Sequence, residues 1–371
     1  MLKLSFYTDF ISTKSILSFS WLFLLTILVG NFQKAAGQDT IRTFYDDDTL
    51  LVKEVLVKIN GKAQGQVKLF DREGKLIQVG NLLNDQKNGK FIDLDPESGD
   101  TLRIITFENN QRQGKAVAFY PGGKISQESE FINNQLEGWV ISYFESGQVS
   151  DRVPFKGNKP NGIAETFFPN GKLKTKIEFS AGQYDGRHEE FDESGQLIRK
   201  ANYEKGILDG EEILYFPSGK LRSQRNYDAG NLVGSYHSYY EDGSPERTGF
   251  YKNGNPEGEL MEYFPSGGIR MKAFYTKGIP VQPTEYFYEN GQVRLRITFD
   301  QDGYKLKEEA FYETGSAYSL VNFSKGVEEG ETKLYHPNGQ LKELRRYKKG
   351  KMVGNRDFFN EEGVLIRTEK N

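Results

Sequence analysis

The sequence predicts an all-β protein: an elongated, solenoid-like antiparallel sheet of stacked β-hairpins, repeated every 24 residues through about thirteen units. Three observations predict it. Glycine recurs on one 24-residue phase from Gly99 to Gly363. Aromatic residues ride on that phase. The 371 residues hold 40 Gly, 27 Phe and 21 Tyr, which suits many tight turns between aromatic-rich strands.

The phase comes first. Gly123, Gly147, Gly171, Gly195, Gly219, Gly243, Gly267, Gly291, Gly315, Gly339 and Gly363 are 24 residues apart, and Gly74 joins with one extra residue before Gly99. Four residues before each glycine sits an aromatic, as at Phe167, Phe191 and Tyr215. Eight after it sits another, as at Phe179, Tyr203 and Tyr227. Eleven after it stand Asn110, Asn134 and Asn158, then mostly glycine, the types that tolerate a left-handed backbone. Fifteen after it glycine returns, as at Gly162, Gly186 and Gly210.

One unit reads as follows. Pro169-Asn170-Gly171 and Pro217-Ser218-Gly219 suit a type I turn closed by a left-handed residue, a hairpin loop. Residues 211–216 form one strand and 220–227 the return strand. Leu221, Arg225 and Tyr227 share one face; Arg222, Gln224 and Asn226 share the other. One hairpin alone is unstable in water, so each ring packs on the ring one unit away. Two strands per unit at ~4.8 Å give a rod of order 120 Å. A closed propeller fits less well, because its blades need ~40–50 residues. Residues 38–65 read as a degenerate capping unit and 66–371 as the array. An irregular joint is expected over 280–306, where Gln282 and Leu306 replace phased glycines beside Pro280 and Pro283.

Residues 1–37 predict a cleaved signal peptide. Lys3 and Lys14 precede the apolar run Ile16 to Val29, and Ala35-Ala36-Gly37 supplies small residues for a cut after Gly37. Export follows, to the periplasm, outer surface or medium. A retained membrane anchor is the alternative. The net charge is −3, and 46 basic against 51 acidic residues remain beyond residue 37, so no nucleic-acid partner is expected. There is no cysteine, hence no disulfide, thiolate metal site or thiol nucleophile. His188, His237 and His336 fall on three different phases, so no triad or metal cluster is expected. Residues 93–100 resemble a calcium loop with its glycine one place late, and read as an irregular polar turn. Asp46-Asp47-Asp48 reads as a solvated acidic run. No catalytic, cofactor-binding or metal residue is assigned.

The residue three before the turn glycine gives a second aromatic stripe: Tyr120, Phe144, Phe168, Phe216, Tyr240, Phe264, Tyr288 and Tyr312. Adjacent strand residues point to opposite faces. This stripe is therefore the candidate partner-binding surface, a ladder flanked by Lys and Arg that suits a protein, a glycan or a lipid headgroup. A curled sheet covering both stripes is the competing reading.

Phe167-Phe168-Pro169-Asn170-Gly171-Lys172-Leu173 with Phe179, and Tyr335-His336-Pro337-Asn338-Gly339-Gln340-Leu341 with Tyr347, Gly350 and Gly354, resemble the bacterial variant of the MORN repeat, the type found in YwqK-like proteins. The resemblance covers about residues 66–371. It implies β-hairpin repeats in an extended sheet that serve as scaffolds and binding surfaces, linked to phospholipids in eukaryotic relatives. It also carries an antitoxin or immunity association. The sequence thus points to a non-catalytic, exported scaffold binding a macromolecule along its length, with neutralisation of a cognate toxin as the alternative.

Overall fold

The computed structural model describes residues 37–45 and 48–370. The expected leader up to Ala36, and Asp46 with Asp47, lie outside them. The described residues form 35 strands and no helix. Pairing is antiparallel and runs along the chain, the two-residue strands pairing only with the strand before them. The sheet is open: Gln38–Tyr45 pairs with Asp48–Ile59 alone, and Leu365–Lys370 with Asn355–Phe359 alone.

Two kinds of turn alternate. At one edge lies a five-residue loop. The Phe168 amide donates to the Lys172 carbonyl, and the Gly171 amide to the Phe168 carbonyl, both at 2.8 Å. At the other edge lies a two-residue turn with both residues at positive φ, Ala181 at 49° and Gly182 at 91°. That is the type I′ geometry whose twist matches the flanking strands. The phase eleven residues on, read in the sequence as left-handed, is the second residue of this turn. The first residue, one earlier, is left-handed too; it is Asn84, Asn109, Asn133, Gly157 and Asn253 in some units, but Ala181, Lys205, Ala229, Lys277, Lys325 and Lys349 in others. Neither Ala nor Lys announces that conformation, so the sequence reading missed it.

The glycine fifteen residues on marks a bulge. Between the pairs Ile177↔His188 and Phe179↔Tyr184, Glu178 faces Asp185, Gly186 and Arg187. Gly186 has φ 112° and lies opposite Tyr203 on its other side. A left-handed bulge residue is strained unless it is glycine, and a Cβ on Gly186 would collide with Glu178 Oε2.

The two faces differ as the pattern predicts. In Leu173–Ser180, Thr175, Ile177 and Phe179 are buried, Lys174 is exposed, and Lys176 and Glu178 are half-buried. Phe179 and Ile177 cluster with Ala164, Val153 and Tyr184. The rings are bridged rather than stacked unit on unit. Phe179 meets Tyr184 edge-on at 5.1 Å, and Tyr184 meets Tyr203 at 5.5 Å. Elsewhere the bridging place holds Leu208, Leu232 or Pro256. Two strands separate successive units, so one ring cannot reach the next without an intermediary.

Two irregularities of the ladder fall within 280–306. At 300–304 a five-residue loop replaces the two-residue turn, with the Asp300 amide on the Tyr304 carbonyl at 2.8 Å. Ile297 pairs with Glu308, the same register as Ala201 with Glu212 four units earlier. The loop occupies the chain length that turn and bulge use elsewhere, so Leu306 needs no glycine. At 282–283 the ladder lapses: the Val281 amide still donates to the Phe274 carbonyl at 2.9 Å, and Thr284 is the first residue paired with Val293–Phe299. Pro283 has no N–H to give. A cavity of about 150 Å³ opens there, lined by Lys272, Ala273, Phe274, Gln282, Pro283 and Glu285. Limited proteolysis should therefore cut first at 282–283, with mass spectrometry locating the site. Earlier cutting within 160–260 would contradict this.

Candidate binding surface

The loop edge carries the eight predicted residues. Tyr120, Phe144, Phe168, Phe216, Tyr240, Phe264, Tyr288 and Tyr312 are all half-buried. The tyrosines tie one unit to the next. The Tyr120 hydroxyl donates to the Tyr143 carbonyl at 2.6 Å, Tyr240 to Tyr263 at 2.7 Å, and Tyr288 to Phe311 and Tyr312 to Tyr335 at 2.9 Å each. A ring nitrogen of His336 lies 2.9 Å from the Phe359 carbonyl. Where the stripe holds Asp192 or Asn360, the side chain instead accepts from amides of its own loop, Ser194 and Gln196 or Glu362 and Val364. The mixed stripe of Tyr, His, Asp and Asn therefore reflects two ways of holding a loop. The four phenylalanines have no such polar handle. Of these, Phe168 lies under the Lys174 ammonium at 5.6 Å, and Phe216 under the Arg222 guanidinium at 5.8 Å.

The loop asparagines add a second ladder. Asn170, Asn290 and Asn338 each donate to a carbonyl 23 residues on, in Glu193, Glu313 and Glu361. The loop edge is thus a column of identical loops held at fixed spacing, with Phe144, Phe168, Phe216 and Phe264 showing part of their rings.

The inner face holds a charge network that the sequence reading did not assemble. Glu190 and Arg199 pair at 2.9 Å, Arg199 and Glu212 at 2.9 Å, and Glu212 and Arg225 at 2.8 Å. Arg199 also donates to the Tyr203 hydroxyl at 2.9 Å. His188, only 3% exposed, lies against the rings of Tyr184 and Tyr203. Its burial holds the imidazole pKa below its ordinary value; Glu190 opposes this and Arg199 adds to it. The signal was present in the sequence. Glu212 and Arg225 are opposite charges on phases that hold Ala164 and Ile177 two units earlier. Their partnership needed the register to be seen. Glu343 repeats the motif between Arg345 and Arg356. Burial pushes its carboxyl up, but hydrogen bonds from the two guanidiniums prevail and bring its pKa to about 2.

In the loop at 95–100 the Asp95 carboxylate accepts from the Glu97 and Ser98 amides. Those bonds lower its pKa and close a turn. Among the described residues no three acidic or histidine side chains are grouped to hold a metal ion.

Repeated loops, turns and bulges of this kind have a counterpart among known repeats. Seven stretches match the MORN repeat variant. They are residues 112–133, 160–181, 184–205, 208–229, 232–253, 283–301 and 328–349. The sixth match ends at residue 301, inside the altered loop at 300–304, and the next begins at 328. No curated protein matches the chain. Solved structures with local similarity include the Tc holotoxin pore of Photorhabdus luminescens, at 10% identity and TM-score 0.16, over 90% of this chain and 23% of that one. The TcdB2-TccC3 crystal structure follows at 10% identity and TM-score 0.15, over 87% of this chain and 21% of that one. The chain thus spans under a quarter of the length of these structures, and they bear on neither partner nor activity.

Proposed function

We propose that the protein is a non-catalytic, exported repeat scaffold that binds a macromolecular partner, foremost a protein, along its extended β-surface. The observation that carries this reading is the loop edge. MORN-type units present recurring hairpin loops along one open sheet, with part-exposed aromatic rings at eight of them. Such a surface recognises something long or repetitive better than a small molecule, because no deep cleft converges on one point. A glycan or a membrane surface would meet the same edge.

The experiment is recovery of the protein from outside the cytoplasm, mass spectrometry of its N-terminus, and cross-linked pull-down with variants changed at Phe144, Phe168, Phe216 and Phe264 together. A chain beginning at Gln38 that captures one partner, and loses it when the four rings are removed, supports the proposal. A chain retained in the cytoplasm that rescues cells from a co-expressed toxin would replace it with the antitoxin reading.

A further inference from the structure

The two-residue-turn edge changes character towards the C-terminal end. Twelve residues after the loop glycine the units carry Gln86, Gln111, Gln135, Lys159, Gln183, Ile207, Asn231 and Asn255, of which Ile207 alone is apolar, at 51% exposed. At Ile279, Tyr304 and Val327 the edge is apolar in three successive units, before Lys351. Ile279 is 38% exposed, Tyr304 51% and Val327 46%. They form one strip. A methyl placed on Gly303, next to Tyr304, would lie 3.1 Å from Ile279 Cγ2. One on Gly326, next to Val327, would lie 3.6 Å from the Tyr304 ring, and one on Gly350 2.8 Å from Val327 Cγ1. Each apolar side chain therefore leans on the turn of the following unit. The altered loop at 300–304 is what brings Tyr304 into the line.

The same turns hold lysine where it is least expected. Lys277, Lys325 and Lys349 are the first turn residues, at φ 51°, 50° and 51°, and all are exposed. Asn or Gly is favoured there, and a left-handed lysine is strained. Lys351 adds a fourth exposed ammonium. The nearby carboxylates are engaged: Glu257 accepts from the Lys277 amide, Glu329 from the Lys349 amide, and Asp300 from amides of its own loop. Asp302 is the exposed acid beside Tyr304.

Resting on the scaffold reading, we infer that this strip docks an acidic amphipathic helix of a protein partner. The spacing favours a helix. Successive turns are two strands apart, ~9.6 Å, close to the ~10.5 Å between residues i and i+7 of an α-helix. Apolar residues at i, i+7 and i+14 meet Ile279, Tyr304 and Val327, and carboxylates beside them meet Lys277, Lys325 and Lys349. An added β-strand is disfavoured, because a row of turns offers no ladder of free N–H and C=O groups. A polyproline segment needs an aromatic groove, and the strip has one ring.

The test uses the full chain and a fluorescent peptide of 20 residues with leucine at i, i+7 and i+14, glutamate at the flanking positions and alanine elsewhere. Anisotropy should show saturable binding that weakens at least tenfold for Val327→Asp and for the pair Lys325→Glu and Lys349→Glu. Both variants change exposed side chains, and unchanged urea melts would show that they fold. A peptide of the same composition with scrambled leucines should not bind. Equal binding of the scrambled peptide, unchanged affinity of the variants, or no binding of the designed peptide would each overturn the inference. So would recruitment to phosphatidylserine vesicles that depends on the same residues without the peptide. None of these results touches the loop-edge pull-down, so the broader scaffold reading stands or falls separately.

Discussion

Glu212→Ala is expected to lower the unfolding free energy by about 3–5 kcal/mol, the scale of stripping one partner from a buried ion pair. The Glu212 side chain is 7% exposed, accepts a hydrogen bond from Arg199 and forms an ion pair with Arg225 at 2.8 Å. Removing it leaves two guanidiniums facing each other on the inner face, next to fully buried Ala201. Neither arginine can turn wholly to solvent without leaving its strand partners. Urea melts of Glu212→Ala and Glu165→Ala provide the comparison. Glu165 also pairs with an arginine, Arg152, but that arginine is half exposed and the pair lies on the open face. Exposed pairs contribute about 0–1 kcal/mol. Equal losses for the two variants would show that the inner network is screened by water like any surface pair.

Phe179→Ala is the other large effect, expected at about 3–5 kcal/mol for a buried aromatic. Phe179 is buried among Ala164, Ile177, Val153 and Tyr184, opposite Gly162 in the hairpin register. Its loss opens a cavity on the inner face. Tyr227, on the same phase two units on, is half-buried, so Tyr227→Ala should cost less than Phe179→Ala. Phe168→Ala and Phe216→Ala, at the loop edge without hydrogen-bond partners for their rings, should cost less again and should weaken partner binding instead. Tyr240→Phe separates the two roles of that stripe, since it removes only the hydroxyl bond to Tyr263. If Phe216→Ala destabilises as much as Phe179→Ala, the phenylalanines of the stripe are packing groups, and the loop edge loses its claim as a binding surface.

The candidate surface was half legible in the chain. The phase of Tyr120, Phe168 and Tyr240 could be read off directly, as could the cationic neighbours Lys174 and Arg222. What those side chains do could not. Tyr240 reaches a carbonyl 23 residues away only because stacked loops bring it there, and a single-unit reading contains no such neighbour. The same holds for Asn170, which looks like a turn former and also donates to the next loop.

By itself the sequence determined the repeat, its 24-residue length, the hairpin loops, the left-handed glycine phase and the apolar face. All of these are local rules of turn chemistry and strand alternation that every unit states again. Only the tertiary structure decided which charges meet and how irregular units are absorbed. Glu212 finds Arg199 and Arg225 through cross-strand register, which a one-residue slip would abolish. The altered loop at 300–304 leaves Ile297 opposite Glu308 because loop, turn and bulge trade chain length across a hairpin. Such trades are settled by backbone hydrogen bonds between strands, and a pattern of residue types along one strand does not record its partner.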